Sequence, residues 1–230
     1  QERLEMASIV EDNWRDQKPT VMNYVTKGFE KKLNPANQDT KFYTLKKEGK
    51  TLAFIRFDDL HAARGEALYA GSLNVNPAMR GSAIGEALMR KTIDKEAEKH
   101  VIYADVFPEL IAGTSYVENF GFVIYGVEEV DLGNGKKDKR LLIRRDDRIN
   151  ESYKLRDKNI GREDLLADKV GGVEVFKFDM TQKKDDFLDM INRETRAGKV
   201  VTRYFSSPEN KNIRCVVFEK SHAGVATEAV

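Results

Sequence analysis

The sequence is poor in the residues that build covalent and metal-bound frameworks. It contains one cysteine, Cys215, and three histidines among 230 residues. A single cysteine excludes an internal disulfide framework and a cysteine-rich metal site, and no metal-ligand spacing links the histidines. This composition is typical of a reducing compartment, and it predicts a cytoplasmic protein without a bound metal.

Long apolar runs and an excess of charge of one sign are also missing. No apolar stretch approaches the roughly 20 residues that cross a bilayer, so we expect no membrane-spanning segment. The formal net charge is +1, although 33% of the residues are charged. A nearly balanced charge gives little attraction for nucleic acid or acidic membranes. We therefore expect neither as a partner.

The chain is long and apolar enough for two modest domains. Hydrophobic residues make up 40% of its 230 residues, which allows a substantial buried core. Residues 148–168 are highly charged and weakly periodic, a pattern typical of a domain boundary. We predict a first domain at 1–148, a small α/β accessory domain at 149–220 and a disordered tail at 221–230.

Hydrophobic periodicity and turn residues predict an α/β (α+β) fold. Two helices reach Leu33, and they are followed by strands at 41–47, 51–57 and 67–75. Next come a helix to about Lys99, a strand at 101–107, a helix at 108–120 and a hairpin of strands at 122–131 and 140–145. The last part reads as a β-α-β-β module, with strands at 173–178, 200–205 and 213–218 and a helix at 183–197.

The turn between the third strand and the next helix carries most of the chemical information. Arg80 starts it, and four small residues follow: Gly81, Ser82, Ala83 and Gly85. First-turn N–H groups lack intrahelical partners, and small residues allow close approach, so this turn can hold a phosphate. A tight structural turn is an equally good interpretation from geometry alone. A Rossmann dinucleotide site would need Gly-x-Gly-x-x-Gly, which is absent.

The order of the residues favours the phosphate site. Leu73-Asn74-Val75-Asn76-Pro77, followed by Arg80-Gly81-Ser82-Ala83-Ile84-Gly85, resembles the signature of the GNAT superfamily of N-acetyltransferases. That signature is Arg/Gln-x-x-Gly/Ala-x-Gly/Ala after an apolar-x-Val-x-Pro-like strand end. Downstream, Tyr116-Val117-Glu118-Asn119-Phe120-Gly121-Phe122 is similar to the family's helix that ends in Gly-Phe. The resemblance covers residues 41–145 well and the C-terminal module not at all.

The resemblance implies a mixed, mostly antiparallel sheet flanked by helices, with acetyl-CoA as cofactor. In such proteins the pyrophosphate sits on the turn, and the pantetheine arm pairs with the strand before it, in a wedge between splayed strands. Acetyl transfer to an amine is direct and needs no cysteine. The cofactor-binding residues expected here are Leu73, Asn74, Val75, Arg80, Gly81, Ser82, Ala83, Ile84, Gly85 and Glu86.

The catalytic groups that the resemblance implies are less typical. The family's usual tyrosine position holds Val117, and Tyr116 is the predicted acid one residue away. One residue is a rotation of about 100° on a helix, so the alternative is that Tyr116 points into the core. Glu66 is the predicted base, and an exposed strand-start charge is its structural alternative. Tyr69 and Asp105 are further candidates for the same cleft.

We predict an N-acetyltransferase that acts on an amine-bearing small molecule or on a peptide or protein. Because Val117 and Leu110 stand where relatives have tyrosine and asparagine, the alternative is a catalytically weak or inactive acyl-CoA-binding module with a regulatory or structural role. The C-terminal module could shape the acceptor site or form a homodimer interface, or be a truncated copy of the first fold. Finally, we expect four arginines to form a solvated face, and the alternative is that they bind an acidic partner. They are Arg140, Arg144, Arg145 and Arg148.

Overall fold

The computed structural model describes residues 1–15, 19–34, 39–60, 67–110, 112–133, 135–147, 169–170 and 172–222. The chain forms two compact units, residues 1–104 with 131–138 and residues 105–130 with 139–230. The predicted boundary at 148–168 and most of the predicted tail lie outside the described residues. The division into domains at 148 therefore stays a prediction.

Among the described residues of the first unit there are three α-helices and four strands. They are α1 (Glu2–Trp14), α2 (Pro19–Lys32), β1 (Thr40–Lys47), β2 (Lys50–Asp59), β3 (Ala67–Val75), α3 (Ile84–Ala97) and β4 (Val101–Val106). The strands lie in the order β1-β2-β3-β4. Strand β2 is antiparallel to both β1 and β3, whereas β3 and β4 are parallel. The last two residues of β4 belong to the second unit.

Helices α1 and α2 cover one face of this sheet. Phe42 of β1 and Phe54 of β2 pack against Phe29 of α2, with ring centroids 6.0 and 5.3 Å from it. The same cluster takes in apolar residues of α1, namely Met6, Ile9 and Val10. Burial of this apolar surface is what attaches both helices to the sheet.

Helix α3 covers the opposite face, because successive side chains of a strand point to opposite sides. Tyr43 follows Phe42, and its hydroxyl donates a hydrogen bond to the carboxylate of Glu96 on α3. The helix buries the face that the sequence predicted, including Leu88, Met89 and Ile93. The sheet of the first unit is thus flanked by helices on both sides.

In the described part of the second unit there are two helices and six strands. They are α4 (Ala112–Phe120), β5 (Val123–Gly133), β6 (Lys136–Arg145), β7 (Lys169–Val170), β8 (Val173–Asp179), α5 (Lys184–Arg196), β9 (Lys199–Ser206) and β10 (Ile213–Lys220). Of these, β5 and β6 reach into the first unit with residues 131–133 and 136–138. Their order is β6-β5-β9-β10-β8-β7. Val201 of β9 pairs with Ile124 of β5, so the predicted β-α-β-β module extends the sheet of this unit. None of the helices in the described ranges has the length and apolarity to cross a membrane.

Helix α4 begins later than predicted. The sequence pattern favoured a helix from Pro108, but residues 108–110 form a turn in which the Leu110 N–H donates to the Phe107 carbonyl at 3.1 Å. The carbonyl of Pro108 accepts the Tyr204 hydroxyl at 2.9 Å instead of a helix amide. The Glu109 carbonyl likewise accepts from Arg214 at 3.2 Å. Tertiary partners from β9 and β10 therefore replace the first helical turn.

Candidate functional site

Strand β3 changes its pairing partway along. Its first three residues pair in parallel with β4, from Ala67 opposite Val101 to Tyr69 opposite Tyr103. Antiparallel pairing with β2 instead continues along the strand, from Leu68 opposite Asp59 to Val75 opposite Ala53, and its register shifts between Phe54 and Arg56. Two residues of β3 thus stand opposite Ile55 alone, which is a β-bulge. A bulge bends its strand and interrupts regular pairing, here directly before the glycine-containing turn.

The turn after β3 is built by backbone bonds. The Asn76 N–H donates to the Leu52 carbonyl at 2.8 Å, and its side-chain oxygen accepts from the Ala78 N–H at 3.0 Å. One turn of 3-10 helix follows at Pro77–Met79. Gly81 and Ala83 then adopt left-handed conformations, with φ of 79° and 58°. That conformation costs a non-glycine residue about 1–2 kcal/mol, so the surrounding structure must hold Ala83 in it.

Helix α3 starts without a side-chain cap. Its N-cap residue is Ala83, whose methyl group offers no oxygen to the first-turn amides. Those N–H groups have no intrahelical acceptor and lie at the positive end of the helix dipole. A Cβ on Gly85 would lie 2.6 Å from Cγ2 of Val75, so only glycine lets α3 start this close to β3. Residues 81–83 are exposed, and an anion can reach these amides.

Arg80 is held at the rim of the turn by helix α1. Its Nη2 donates to Oδ1 of Asn13 at 2.6 Å, and Nδ2 of Asn13 donates to Oδ1 of the buried Asn74 at 2.9 Å. The guanidinium keeps further donors for an anion, since it carries five N–H groups. The sequence analysis missed Asn13, because 67 residues separate it from Arg80 and no local pattern links them.

The α1 side of the turn is acidic on balance. An open cavity of about 430 Å³ lies there, and its charged lining consists of the carboxylates of Glu5 and Asp12 and the ammonium group of Lys50. The Glu5 carboxylate accepts the backbone N–H of Thr51 at 3.0 Å, and this hydrogen bond lowers the pKa of Glu5. An ionised carboxylate repels phosphate. An anion therefore suits the α3 side of the turn rather than this cavity.

Tyr116 lies on α4, in the second unit. Its ring packs edge to face against Phe122, with centroids 5.4 Å apart, and against Phe120 at 6.4 Å. Burial raises the pKa of Tyr116 to about 12, and the charge of Asp105 adds to the rise. The hydroxyl is therefore protonated at neutral pH and can donate its proton in a hydrogen bond. Val117, at the family's usual tyrosine position, is buried.

The other residues singled out from the sequence fall in different places. Glu66 lies outside the described residues. Tyr69 and Tyr103 face each other across β3 and β4, whereas the carboxylate of Asp105 is ion-paired with Arg140. Glu86 is exposed on the first turn of α3, and it accepts from Arg90 at 3.2 Å.

The arginines of β6 do not form a solvated face, so that prediction is wrong. Arg140 is buried, and besides pairing with Asp105 it lies over the ring of Phe107 at 4.7 Å. Arg144 is also buried and lies over the Tyr125 ring at 5.5 Å. Arg145 donates to the Phe120 carbonyl at the end of α4. Ion pairing and ring stacking allow these cations inside the unit. Arg148 lies outside the described residues.

Comparison with known proteins agrees with this geometry. Residues 4–122, just over half of the chain, match the family model described as "Acetyltransferase (GNAT) family". No curated protein matches the sequence. Among solved structures, smu.2055 from Streptococcus mutans UA159 is 15% identical, with a TM-score of 0.50 over 63% of this chain and 93% of that one.

Two further solved structures carry functional names. Ribosomal-protein-alanine N-acetyltransferase from Brucella melitensis is 16% identical, with a TM-score of 0.48 over 63% of this chain and 93% of that one. An aminoglycoside 6'-N-acetyltransferase complexed with coenzyme A is 15% identical, with a TM-score of 0.41 over 62% and 89%.

The fold and the family match define the class of protein: this chain belongs to the GNAT family of acetyltransferases. It is an acetyl-CoA-dependent N-acetyltransferase, as its family membership establishes. The predicted mixed, largely antiparallel fold is confirmed. The alternative of an inactive acyl-CoA-binding module has no support from the comparisons.

Proposed function

We propose that this enzyme transfers the acetyl group of acetyl-CoA directly to the amine of a small molecule, peptide or protein, and that residues 80–85 bind the pyrophosphate. The observation that carries the proposal is the uncapped, glycine-containing start of α3 with Arg80 held beside it. When bound, acetyl-CoA supplies the activated thioester. The single buried cysteine, Cys215, has no part in the reaction, and we expect a cytoplasmic setting.

The residues of the first unit bind and orient the cofactor. The amides of Ala83, Ile84, Gly85 and Glu86 are the proposed donors to phosphate oxygens, because they surround the open N-terminus of α3. The Ser82 N–H donates instead to the Met79 carbonyl at 3.3 Å, so Ser82 is proposed to line the site. Arg80 adds a charge-assisted bond from the rim. Backbone groups of Leu73, Asn74 and Val75 pair with the pantetheine arm, because among the described residues the pairs of β3 with β4 end at Tyr69.

Proton transfer is assigned to Glu66 and Tyr116. Glu66 takes the proton that the acceptor nitrogen loses as the new C–N bond forms. Tyr116 donates its hydroxyl proton toward the sulfur as the C–S bond breaks. With a pKa of about 12 it is a weak acid, so it stabilises the leaving thiolate mainly by hydrogen bonding. Acceptors bearing a carboxamide in place of the amine are not substrates, because their nitrogen lone pair is delocalised.

Two measurements on the whole chain test the proposal. The first is the thermal unfolding temperature with and without CoA, and the second is free thiol released from acetyl-CoA with a panel of primary amines and their carboxamide analogues. We expect CoA to raise the unfolding temperature and thiol release to require an amine. An unchanged unfolding temperature, or thiol release that is independent of the amine, would contradict the proposal.

Charge reversal at the turn tests the phosphate site itself. Arg80→Glu should raise the KM for acetyl-CoA on the order of tenfold or more, because a hydrogen bond to a charged group contributes about 1.5–3 kcal/mol. Lys91→Glu is the matched control, since Lys91 is an exposed cation on α3, the helix that follows the turn. The control should change KM less than twofold. Equal effects of the two variants would mean that Arg80 acts only through the general field of the protein.

A further inference from the structure

The C-terminal module holds both ends of helix α4. Before the helix, the Tyr204 hydroxyl donates to the Pro108 carbonyl at 2.9 Å, and Arg214 donates to the Glu109 carbonyl at 3.2 Å. Tyr204 and Arg214 are 0% and 3% exposed. The first bond is buried and the second is partly buried, and a buried hydrogen bond that is lost leaves both partners unsatisfied. The entry to α4 is therefore fixed by β9 and β10.

The last turn of α4 is held by a two-pronged ion pair. Arg203 of β9 donates from Nε to both carboxylate oxygens of Glu118, at 3.1 and 3.0 Å, and from Nη2 at 2.7 Å. The Tyr204 backbone N–H donates to the same carboxylate at 2.9 Å. The side chains of Arg203 and Glu118 are 12% and 17% exposed. A planar guanidinium on a carboxylate fixes direction as well as distance.

This ion pair sets how α4 is rotated about its own axis. Glu118 follows Tyr116 by two residues, so the two side chains are about 200° apart around the helix. The residues on the arc between them are buried, namely Gly113, Thr114, Val117 and Phe120. Tyr116 and Glu118 are thus the two flanks of the buried face. Because the ion pair holds the Glu118 side of the helix on β9, it determines the direction of the Tyr116 side.

We propose that Arg203 is a positioning residue for acetyl transfer: by binding Glu118 it fixes the rotation of α4 and, with it, the direction of the Tyr116 hydroxyl. Helix α4 lies inside the segment that matches the family, residues 4–122, whereas Arg203 lies outside it. The C-terminal module is then a working part of the enzyme and more than an appended domain. The inference rests on the role of Tyr116 in the proposed function.

The test is turnover of Arg203→Met in two backgrounds, wild type and Tyr116→Phe. We expect kcat to fall on the order of tenfold in the wild-type background, since small misplacements of a reacting group cost this much or more. The KM for acetyl-CoA should stay within twofold. In the Tyr116→Phe background, Arg203→Met should lower kcat no further, because the hydroxyl that it positions is already gone.

Two further variants separate positioning from simple destabilisation. Arg203→Lys should recover part of the lost turnover, because a lysine keeps the charge without the planar fork. Glu118→Gln removes the negative charge but keeps a side-chain oxygen that can still accept from Arg203, so it serves if Arg203→Met fails to fold. Arg193→Met is the control, because Arg193 is in an exposed pair with Glu194, and it should leave kcat unchanged.

The outcomes distinguish a failure of the acid role of Tyr116 from a failure of the positioning role of Arg203. If Tyr116→Phe keeps wild-type kcat, Tyr116 is not the acid of the proposed function, and the inference is wrong with it. If Tyr116→Phe slows turnover but Arg203→Met or Glu118→Gln lowers kcat by the same factor in both backgrounds, the inference alone is wrong. Loss of the Arg203→Met effect in the Tyr116→Phe background supports both.

Discussion

Helices α3 and α4 both follow strands of the sheet, yet their polar ends are arranged in opposite ways. The start of α3 has no side-chain cap, and the turn before it is exposed at Gly81, Ser82 and Ala83. Both ends of α4 instead receive hydrogen bonds from side chains of β6, β9 and β10. An open helix end can bind an anion, and a closed one can hold a side chain in a fixed direction.

The two helices also depend on different interactions. Helix α3 relies on steric fit, because Gly85 is what allows its first turn to approach Val75. Helix α4 relies on charge and hydrogen bonding, because Glu118 is bound by Arg203 and by a backbone amide. We therefore expect α3 to be sensitive to added volume and α4 to be sensitive to lost polar partners.

The largest effect should come from adding a methyl group at Gly85. In Gly85→Ala the new Cβ would clash with Val75 and push α3 from the sheet, which should lower the free energy of unfolding by about 1–3 kcal/mol and abolish stabilisation by CoA. Chemical denaturation with and without CoA measures both. Gly28→Ala is the control, since nothing lies within 4 Å of a Cβ there.

Removing the clash should reverse the effect. Val75→Ala deletes the Cγ2 atom that the added methyl would meet, so Gly85→Ala combined with Val75→Ala should regain part of the lost stability. Wild-type stability and CoA affinity in Gly85→Ala alone would show that α3 does not depend on this close approach.

A smaller effect is expected from Asn13, which orients Arg80. Asn13→Ala leaves the guanidinium in place but removes its partner at 2.6 Å. A hydrogen bond to a charged group contributes about 1.5–3 kcal/mol. Because Asn13 orients the guanidinium and Arg80 itself stays, only part of this is lost, and the KM for acetyl-CoA should rise about three- to tenfold. Steady-state kinetics measures this KM, and Ser8→Ala, at an exposed position of α1, is the control. An unchanged KM would mean that Arg80 needs no support from α1.

The buried tyrosines of the second unit should make it sensitive to alkali. Burial raises the pKa of Tyr116 and of Tyr204 from 10.0 to about 12. A raised folded-state pKa gives stability that is complete below about pH 10 and is lost as the pH rises through 12, on the order of 1 kcal/mol per tyrosine at pH 11. Tyrosinate absorbance measures the ionisation, and chemical denaturation between pH 8 and 11 measures the fall in the free energy of unfolding. This fall should be smaller in Tyr204→Phe than in the wild type. An equal fall in both proteins would contradict a raised pKa for Tyr204.

The smallest effect should come from relieving strain at Ala83. Ala83→Gly removes the cost of the left-handed conformation at φ 58° but adds chain entropy to the unfolded state, so stability should rise by less than about 1 kcal/mol. Stabilisation by CoA should be retained. Ala87→Gly, in the body of α3, should instead destabilise by about 1 kcal/mol. Destabilisation of the same size at both positions would rule out strain at Ala83.

Much of the fold could be predicted because its signals are local. The strand at 67–75, the turn with its small residues and the buried face of α3 were all predicted from periodicity and spacing. These features depend on residues a few positions apart, for which steric rules are strong. The start of α4 was misjudged because the carbonyls of Pro108 and Glu109 bond to β9 and β10, and no local pattern reports such partners.

The sequence by itself determined the glycine-containing turn and the helix that follows it, because backbone conformation at Gly81 and close approach at Gly85 are short-range requirements. Only the tertiary structure decided which side chains support the two helices. Asn13 lies 67 residues from Arg80, and Glu118 lies 85 residues from Arg203. Polar residues at these positions are compatible with a solvated surface in the sequence, and only folding brings each pair within hydrogen-bonding distance.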